Sequence, residues 1–225
     1  MSGRGTCKRW PAYAAVVWAC GSLVLYSGRL AAETIMVYTL DPRSEFVVQL
    51  FKAGIGAKFA HDHVIRAAGF TGQIRTDPAD PTSTVITVEV QTGALQVDEP
   101  PVRRKYGLTT VLSKSDRQET QEAMAGKDQL DVRQYPSIRF QSTAVEPQAQ
   151  GQYRLTGDLT IRGISQSFTF PVQAELREGR LHARGSFSFK QSSFGYQPYS
   201  ALFGAIRNQD EVVLHFDVTA RLSPE

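Results

Sequence analysis

Two histidines spaced two apart are the residues in this sequence best placed to do chemistry. His61 and His63 flank Asp62. In an extended segment, side chains two apart emerge on one face, so both imidazoles could reach one metal ion while Asp62 points the other way. No third ligand lies nearby, so a metal-binding or catalytic reading of His61 and His63 competes with one in which they are rim histidines making ordinary hydrogen bonds. His182 and His215 fall on the polar phase of their segments and are poorly placed to face an interior. A hydroxyl nucleophile is no better served. Gly163-Ile164-Ser165-Gln166-Ser167 lacks the last glycine of a nucleophile elbow and sits at a β turn, not at a strand-to-helix turn. No HExxH, Walker or dinucleotide fingerprint occurs, and the acids are scattered over polar positions. The expectation is a protein that is not an enzyme and needs no cofactor.

The segments that must position these residues begin after a leader. Arg4, Lys8 and Arg9 precede an apolar run from Pro11 to Tyr26, and small residues follow at Ala31 and Ala32. Basic start, short apolar stretch and small-residue exit make up a secretory signal, expected to be cleaved near Ala32. The run before Arg29 is shorter than the roughly 20 apolar residues that span a bilayer. Cys20 could instead mark a lipoprotein signal, but Trp18 is bulky where such signals favour small residues, so ordinary cleavage is the stronger reading. Four of the 25 basic residues and none of the 22 acidic ones lie in 1–32, leaving 21 against 22, a net charge of −1. The mature part, residues 33–225, therefore lacks the basic balance expected of a nucleic-acid partner. Both cysteines, Cys7 and Cys20, fall in the leader. The domain is thus expected to be periplasmic or secreted, stabilised by a core and not by disulfides.

From Ile35 onward the pattern is mostly period two, the mark of half-buried strands. Tyr153, Leu155, Leu159 and Ile161 share one face of their segment while Arg154, Thr156, Asp158 and Thr160 share the other. Leu214, Phe216 and Val218 alternate with His215, Asp217 and Thr219, and Phe187 and Phe189 with Ser186, Ser188 and Lys190. Further strands are predicted over 35–40, 46–51, 64–74, 84–91, 138–145 and 168–174. Glu178-Gly179, Arg162-Gly163 and Gln150-Gly151 supply tight-turn chemistry between neighbours. Up to nine antiparallel strands in a meander predict a single barrel or sandwich domain. One short polar helix is expected within it, capped at Ser115 and stopped at Gly126, lying across a barrel end or flank.

Three blocks in a row carry a resemblance: Leu130-Asp131-Val132; Tyr135-Pro136-x-Ile138-x-Phe140-x-Ser142; and Tyr153-x-Leu155-x-Gly157-Asp158-Leu159-Thr160-Ile161-Arg162-Gly163. Together with Tyr38-x-Leu40-Asp41, Phe70-x-Gly72-x-Ile74, Ser193-Phe194-Gly195 and Asp210-Glu211-Val212, they make the chain from about Met36 to Leu222 resemble the YceI family of exported lipid-binding proteins. The resemblance implies an all-β, antiparallel, lipocalin-like barrel whose lumen holds an isoprenoid or other long-chain lipid. The inward phase would then line that lumen: Phe46, Val48 and Leu50; Phe70, Ile86 and Val88; Ile138 and Phe140; Tyr153 and Leu155; Phe168 and Phe170; Phe187 and Phe189; Leu214 and Phe216. Periodicity alone favours a filled core, as in a structural or interaction protein, and only the resemblance turns the reading to a hollow lumen. His61-Asp62-His63 departs from many members, which carry a glycine-containing stretch there. The long 197–207 loop, with Pro198, Tyr199, Leu202 and Phe203, is expected to close a barrel mouth. The partners implied are the lipid, a membrane touched transiently and, in an assembly, a second copy of the chain as homodimer.

Overall fold

The computed structural model describes residues 34–224. The expected leader, its cleavage near Ala32 and the Cys20 alternative lie outside the described residues. Twelve strands follow in chain order: β1 (Met36–Leu40), β2 (Glu45–Ala53), β3 (His63–Ala67), β4 (Phe70–Asp77), β5 (Asp80–Gln91), β6 (Leu95–Val97), β7 (Ser137–Pro147), β8 (Gln152–Ile161), β9 (Ile164–Arg177), β10 (Arg180–Lys190), β11 (Ser200–Ala201) and β12 (Ile206–Leu222). Two helices, α1 (Pro100–Lys105) and α2 (Lys114–Ala125), separate β6 from β7.

Eight of these strands close an antiparallel barrel in the order β1-β4-β5-β7-β8-β9-β10-β12, with β12 pairing back onto β1. Short turns set most of this order. Arg162-Gly163 and Glu178-Gly179 each place two consecutive residues at positive φ, the geometry that lets two-residue hairpins follow the strand twist. Of the remaining four, the two-residue β11 pairs with β12, and β2, β3 and β6 extend from β12 at one end of the barrel. They are the upper halves of bent ribbons. β1 gives way to β2 at a corner built on Asp41, whose buried carboxylate accepts from the Arg43 backbone N–H at 2.9 Å and from the Arg43 and Arg221 guanidinium groups. At the same corner Ser44 Oγ donates to the Thr219 carbonyl at 3.0 Å and accepts from the Thr219 N–H at 3.1 Å. The stretch read from sequence as one strand over 64–74 is two, β3 and β4, broken at Ala68-Gly69, where pairing passes from β2 to β1.

Pairing does not continue from β6 to β7, and helix α2 covers the gap. The Gln121 amide does the work of a missing strand: its Oε1 accepts the Val97 N–H at 3.0 Å and its Nε2 donates to the Leu95 carbonyl at 2.8 Å. The edge of β6 is thereby satisfied by a side chain, one of the few ways to bury a sheet edge without another strand. The helix starts two residues earlier than Ser115 suggested. Ser113 is the N-cap, its hydroxyl accepting from the Asp116 N–H and its own N–H donating to the Asp116 carboxylate, a reciprocal capping box in which Asp116 takes the third helical position. Asp116 is held below the usual carboxylate range, chiefly by these bonds from Ser113.

Inside the barrel, two glycines on the inward phase let rings lie flat on the wall. A Cβ at Gly157 would stand 2.4 Å from the Phe140 ring, and one at Gly185 2.6 Å from the Phe216 ring. Replacing Gln121 with Leu strands the Val97 and Leu95 backbone groups and should cost about 1–3 kcal/mol in urea unfolding. Gln121→Glu, which keeps only the acceptor, should fall between that variant and the parent.

Candidate ligand cavity

The barrel interior is packed unevenly. Where strands form the whole wall, rings mesh: Phe170 stacks on Phe187 with centroids 4.3 Å apart, and Phe140 and Phe216 pack on Phe170 at 6.0 and 5.8 Å. Only about 130 Å³ is left there, bounded wholly by apolar groups that include Leu40, Ile74, Ile86, Val88, Leu155 and Val218. Where α2 replaces strand, the interior opens to about 500 Å³. Phe46, Val90, Ile138 and Leu214 border both spaces, so they adjoin. The larger space falls in the common range of small-molecule sites, about 300–1,000 Å³, and the smaller one extends it.

Most of the inward-phase set borders this interior. Val48, Leu50 and Phe189 face the larger space with Phe46, Ile138 and Leu214; Ile86, Val88, Phe140, Leu155, Phe170, Phe187 and Phe216 face the smaller. Three residues sit elsewhere. Phe70 packs into the core edge-on to Phe46 at 5.1 Å, and Phe168 packs among Phe187, Phe189 and Phe194. Tyr153, at the start of β8, borders a concavity of about 940 Å³ that is open to solvent and edged by Lys105, Arg154, Arg184 and Asp217. Alternation assigns a face but cannot say where along the barrel axis a side chain ends up, and Tyr153, near the start of its strand, packs against the buried cluster of Val145, Leu155, Phe170 and Val172 without bordering either inner space.

Sequence reasoning missed the helical wall. Asp116, Glu119, Thr120, Ala123 and Met124 all line the larger space. Their spacing of three, one, three and one is that of a single helix face, a signal masked by the polarity of its first three members. Also missed were Ile65, Ala67, Leu95, Leu112 and Leu130, and Tyr196, which is 8% exposed. The Tyr196 ring carries the Arg162 guanidinium at 5.6 Å from its centroid, and the same guanidinium lies 5.6 Å from the Tyr135 ring while donating to the Gln129 carbonyl at 2.7 Å. Burial pushes the Tyr196 hydroxyl well above its ordinary pKa. The 197–207 loop contributes Tyr199 and Ile206 to the mouth, whereas Leu202 and Phe203 project outward.

His61 and His63 both reach the larger space, but their surroundings differ. His63 Nδ1 lies 2.5 Å from Asp98 Oδ2. Asp98 is fully buried, and its Oδ1 accepts from the Val64 N–H at 3.1 Å and from Arg103 at 2.6 Å. Arg103, itself 4% exposed, also donates to the Asp62 carbonyl at 2.8 Å. Burial alone would raise the Asp98 pKa; the bonds from His63, Val64 and Arg103 outweigh it and hold the carboxyl below its ordinary value. Asp62 turns away from its neighbours and accepts the Lys52 N–H at 2.8 Å. Among the described residues, no group of three or more His, Cys, Asp or Glu side chains is arranged to hold a metal ion. His215 lies outside the lumen, its Nε2 2.8 Å from Gln49 Oε1 and its ring 5.1 Å from that of Tyr106. His182 pairs with Thr219 at 3.2 Å, and Ser165 is exposed beside Thr160.

A closed eight-stranded antiparallel barrel with an apolar interior and a mouth roofed by one helix belongs to the class of lipocalin-like barrels. The pattern of the YceI-like domain matches residues 38–220, and the chain belongs to that family. A UPF0312 protein of Pseudomonas putida strain W619 is 29% identical over 154 residues, 68% of this chain and 67% of that protein. Among solved structures, BcnA of Burkholderia cenocepacia superposes with a TM-score of 0.62 at 21% identity, covering 80% of this chain and 98% of that one. A polyisoprenoid binding domain from Saccharophagus degradans, implicated in plant cell wall breakdown, superposes at 0.55 with 10% identity, covering 84% and 99%. At these identities the two structures establish the fold.

Removing the Asp98 side chain leaves His63, Arg103 and the Val64 N–H without their common partner. Asp98→Ala should cost about 3–5 kcal/mol, read from urea unfolding. Because the native pKa of Asp98 is depressed, the stability it lends is complete above the unfolded carboxylate value of about 4 and is lost as pH falls through the native value. The gap between parent and Asp98→Asn should therefore be widest near neutrality and shrink as pH drops below about 4.

Proposed function

We propose that this protein is an exported carrier that holds a long-chain lipid, of the isoprenoid type, by burial and without chemistry. The observation that carries the reading is the pair of adjoining apolar spaces of about 500 and 130 Å³ inside a barrel with a mouth roofed by α2. Each methylene moved from water into such a wall contributes about 0.8 kcal/mol, so affinity accumulates with chain length and needs few polar contacts. The shape suits a cargo whose tail threads toward the meshed aromatics while its head stays near α2. Family membership supports the same reading, as does the polyisoprenoid binding named for the Saccharophagus degradans relative in fold. The leader read in residues 1–32 supports export to the periplasm or beyond.

A carrier must take its cargo from a membrane, and four side chains support contact at the mouth. Ile55, Val111, Leu202 and Phe203 are the most exposed large apolar residues described, at 95, 92, 69 and 112%. Val111 precedes the cavity-lining Leu112, while Leu202 and Phe203 lie between Tyr199 and Ile206. Ile55 is tied to the same loop, because the Gly56 N–H donates to the Ala205 carbonyl at 2.8 Å. Leu202 and Phe203 both adopt left-handed backbone, φ 49° and 54°, which presents consecutive apolar side chains outward at a conformational cost.

Mass spectrometry of an organic extract of protein purified gently from its native compartment should recover a long-chain lipid at near-stoichiometric amount; recovery of none, with no binding of added prenyl lipid, would sink the carrier reading. Replacing Ile55, Leu202 and Phe203 with serine should slow lipid transfer from vesicles about tenfold or more, since each exchange removes about 1.5–3 kcal/mol of burial in the bilayer interface. Affinity for lipid already in micelles should stay unchanged.

A further inference from the structure

Resting on the carrier reading, we propose that the barrel mouth holds a headgroup site in which His63, positioned by Asp98, accepts a hydrogen bond from a neutral hydroxyl, so that the preferred cargo is a long-chain alcohol and not its phosphate ester.

The site is built from buried parts. Asp98 shows no solvent exposure and its backbone is held at φ 52°, a left-handed conformation that persists only where the surroundings over-determine it. Val64, Arg103 and His63 supply that determination through three hydrogen bonds to one carboxylate. Its pKa stands below the ordinary value, so near neutral pH the carboxylate is ionised and can only accept. The proton between the two residues therefore sits on His63 Nδ1. In the neutral imidazole this leaves Nε2, on the far edge of the ring from Asp98, as a lone-pair acceptor. No hydrogen bond from the described residues engages that nitrogen, although the ring lines the cavity beside Ile65 and Ala67 of the same strand. Arg103, the one guanidinium in the cluster, is committed to Asp98 and the Asp62 carbonyl behind the ring.

The rest of the wall decides the sign of the headgroup. Among the described residues no lysine or arginine lines the larger space, whereas the solvent-exposed Asp116 and Glu119 edge it. Asp116 is ionised by virtue of its capping bonds. A phosphate or carboxylate headgroup would face these carboxylates with none of the lysine or arginine donors that bind such anions. A hydroxyl meets an acceptor on His63 and has carboxylate oxygens nearby to satisfy it in other poses. A headgroup with no donor gains nothing from Nε2.

The test uses three probes on one tail: geranylgeraniol, its methyl ether and its monophosphate, each titrated into exported protein stripped of bound lipid. The parent should bind the alcohol about five- to tenfold tighter than the ether, the effect of one hydrogen bond, and tighter than the phosphate. His63→Leu should erase the alcohol–ether difference and leave ether affinity within about twofold. Because that variant also removes a partner of Asp98, nitrogen chemical shifts of His63 in the parent give a second reading. They should show a proton on Nδ1, with Nε2 moving on addition of the alcohol and not of the ether. Equal binding of alcohol and ether, tightest binding of the phosphate, or a ring protonated at Nε2 would each overturn the headgroup site while leaving the carrier intact. Failure of all three probes to bind would instead remove the carrier reading on which the site rests.

Discussion

An eight-stranded barrel is just wide enough for its own inward side chains to fill, so a chain that folds this way must spend something to keep space inside. Here the expenditure is one section of wall. Over most of the circumference, strand pairs strand and the rings of Phe140, Phe170, Phe187 and Phe216 meet across the lumen. Between β6 and β7 the ladder stops and a helix stands off the sheet. A helix is wider than a strand and offers one face of mixed small and polar side chains, so the interior behind it cannot be filled from the opposite wall. The larger cavity is a consequence of that substitution, and Gln121 makes it tolerable by pairing the sheet edge that the missing strand would have covered.

The same end of the barrel carries the buried charge. A carboxylate with no access to water is stable only when its hydrogen-bonding capacity is spent locally. Asp98 spends it on a backbone N–H, a guanidinium and an imidazole. These partners come from β3 and α1, so one side chain fixes the start of β3, the short helix that follows β6 and the orientation of His63. Rigidity at the rim and a defined polar atom in an apolar wall thus have one origin.

Asymmetry along the axis also separates the two tasks that the proposed carrier role requires. The meshed aromatic end offers dispersion and burial without polar atoms, while the mouth combines imidazole, carboxylate, hydroxyl and amide groups with outward apolar tips. Tail recognition is then insensitive to detail, as expected of burial, and discrimination falls to the few polar groups near α2.

Much of this was legible in residue order. Alternation in β8, β10 and β12, the Arg162-Gly163 and Glu178-Gly179 turns, and the polar α2 segment determine an antiparallel barrel or sandwich with an inserted helix, because side-chain period and turn geometry are local properties, and the resemblance to the YceI family chose the barrel. Most of the inward set followed from the same rule. Tertiary structure alone decided that Phe70, Phe168 and Tyr153 pack into the core without bordering either inner space, that 64–74 breaks into two strands at Ala68-Gly69, and that the helix cap is Ser113. It also paired His63 with Asp98 across 35 positions and set Met124 of α2 into the core with the exposed Asp116 and Glu119 at the cavity's edge. The reason is that period two tells which way a side chain points and nothing about what stands opposite; distance across a lumen depends on where strands bend, where pairing ends and what fills the gap.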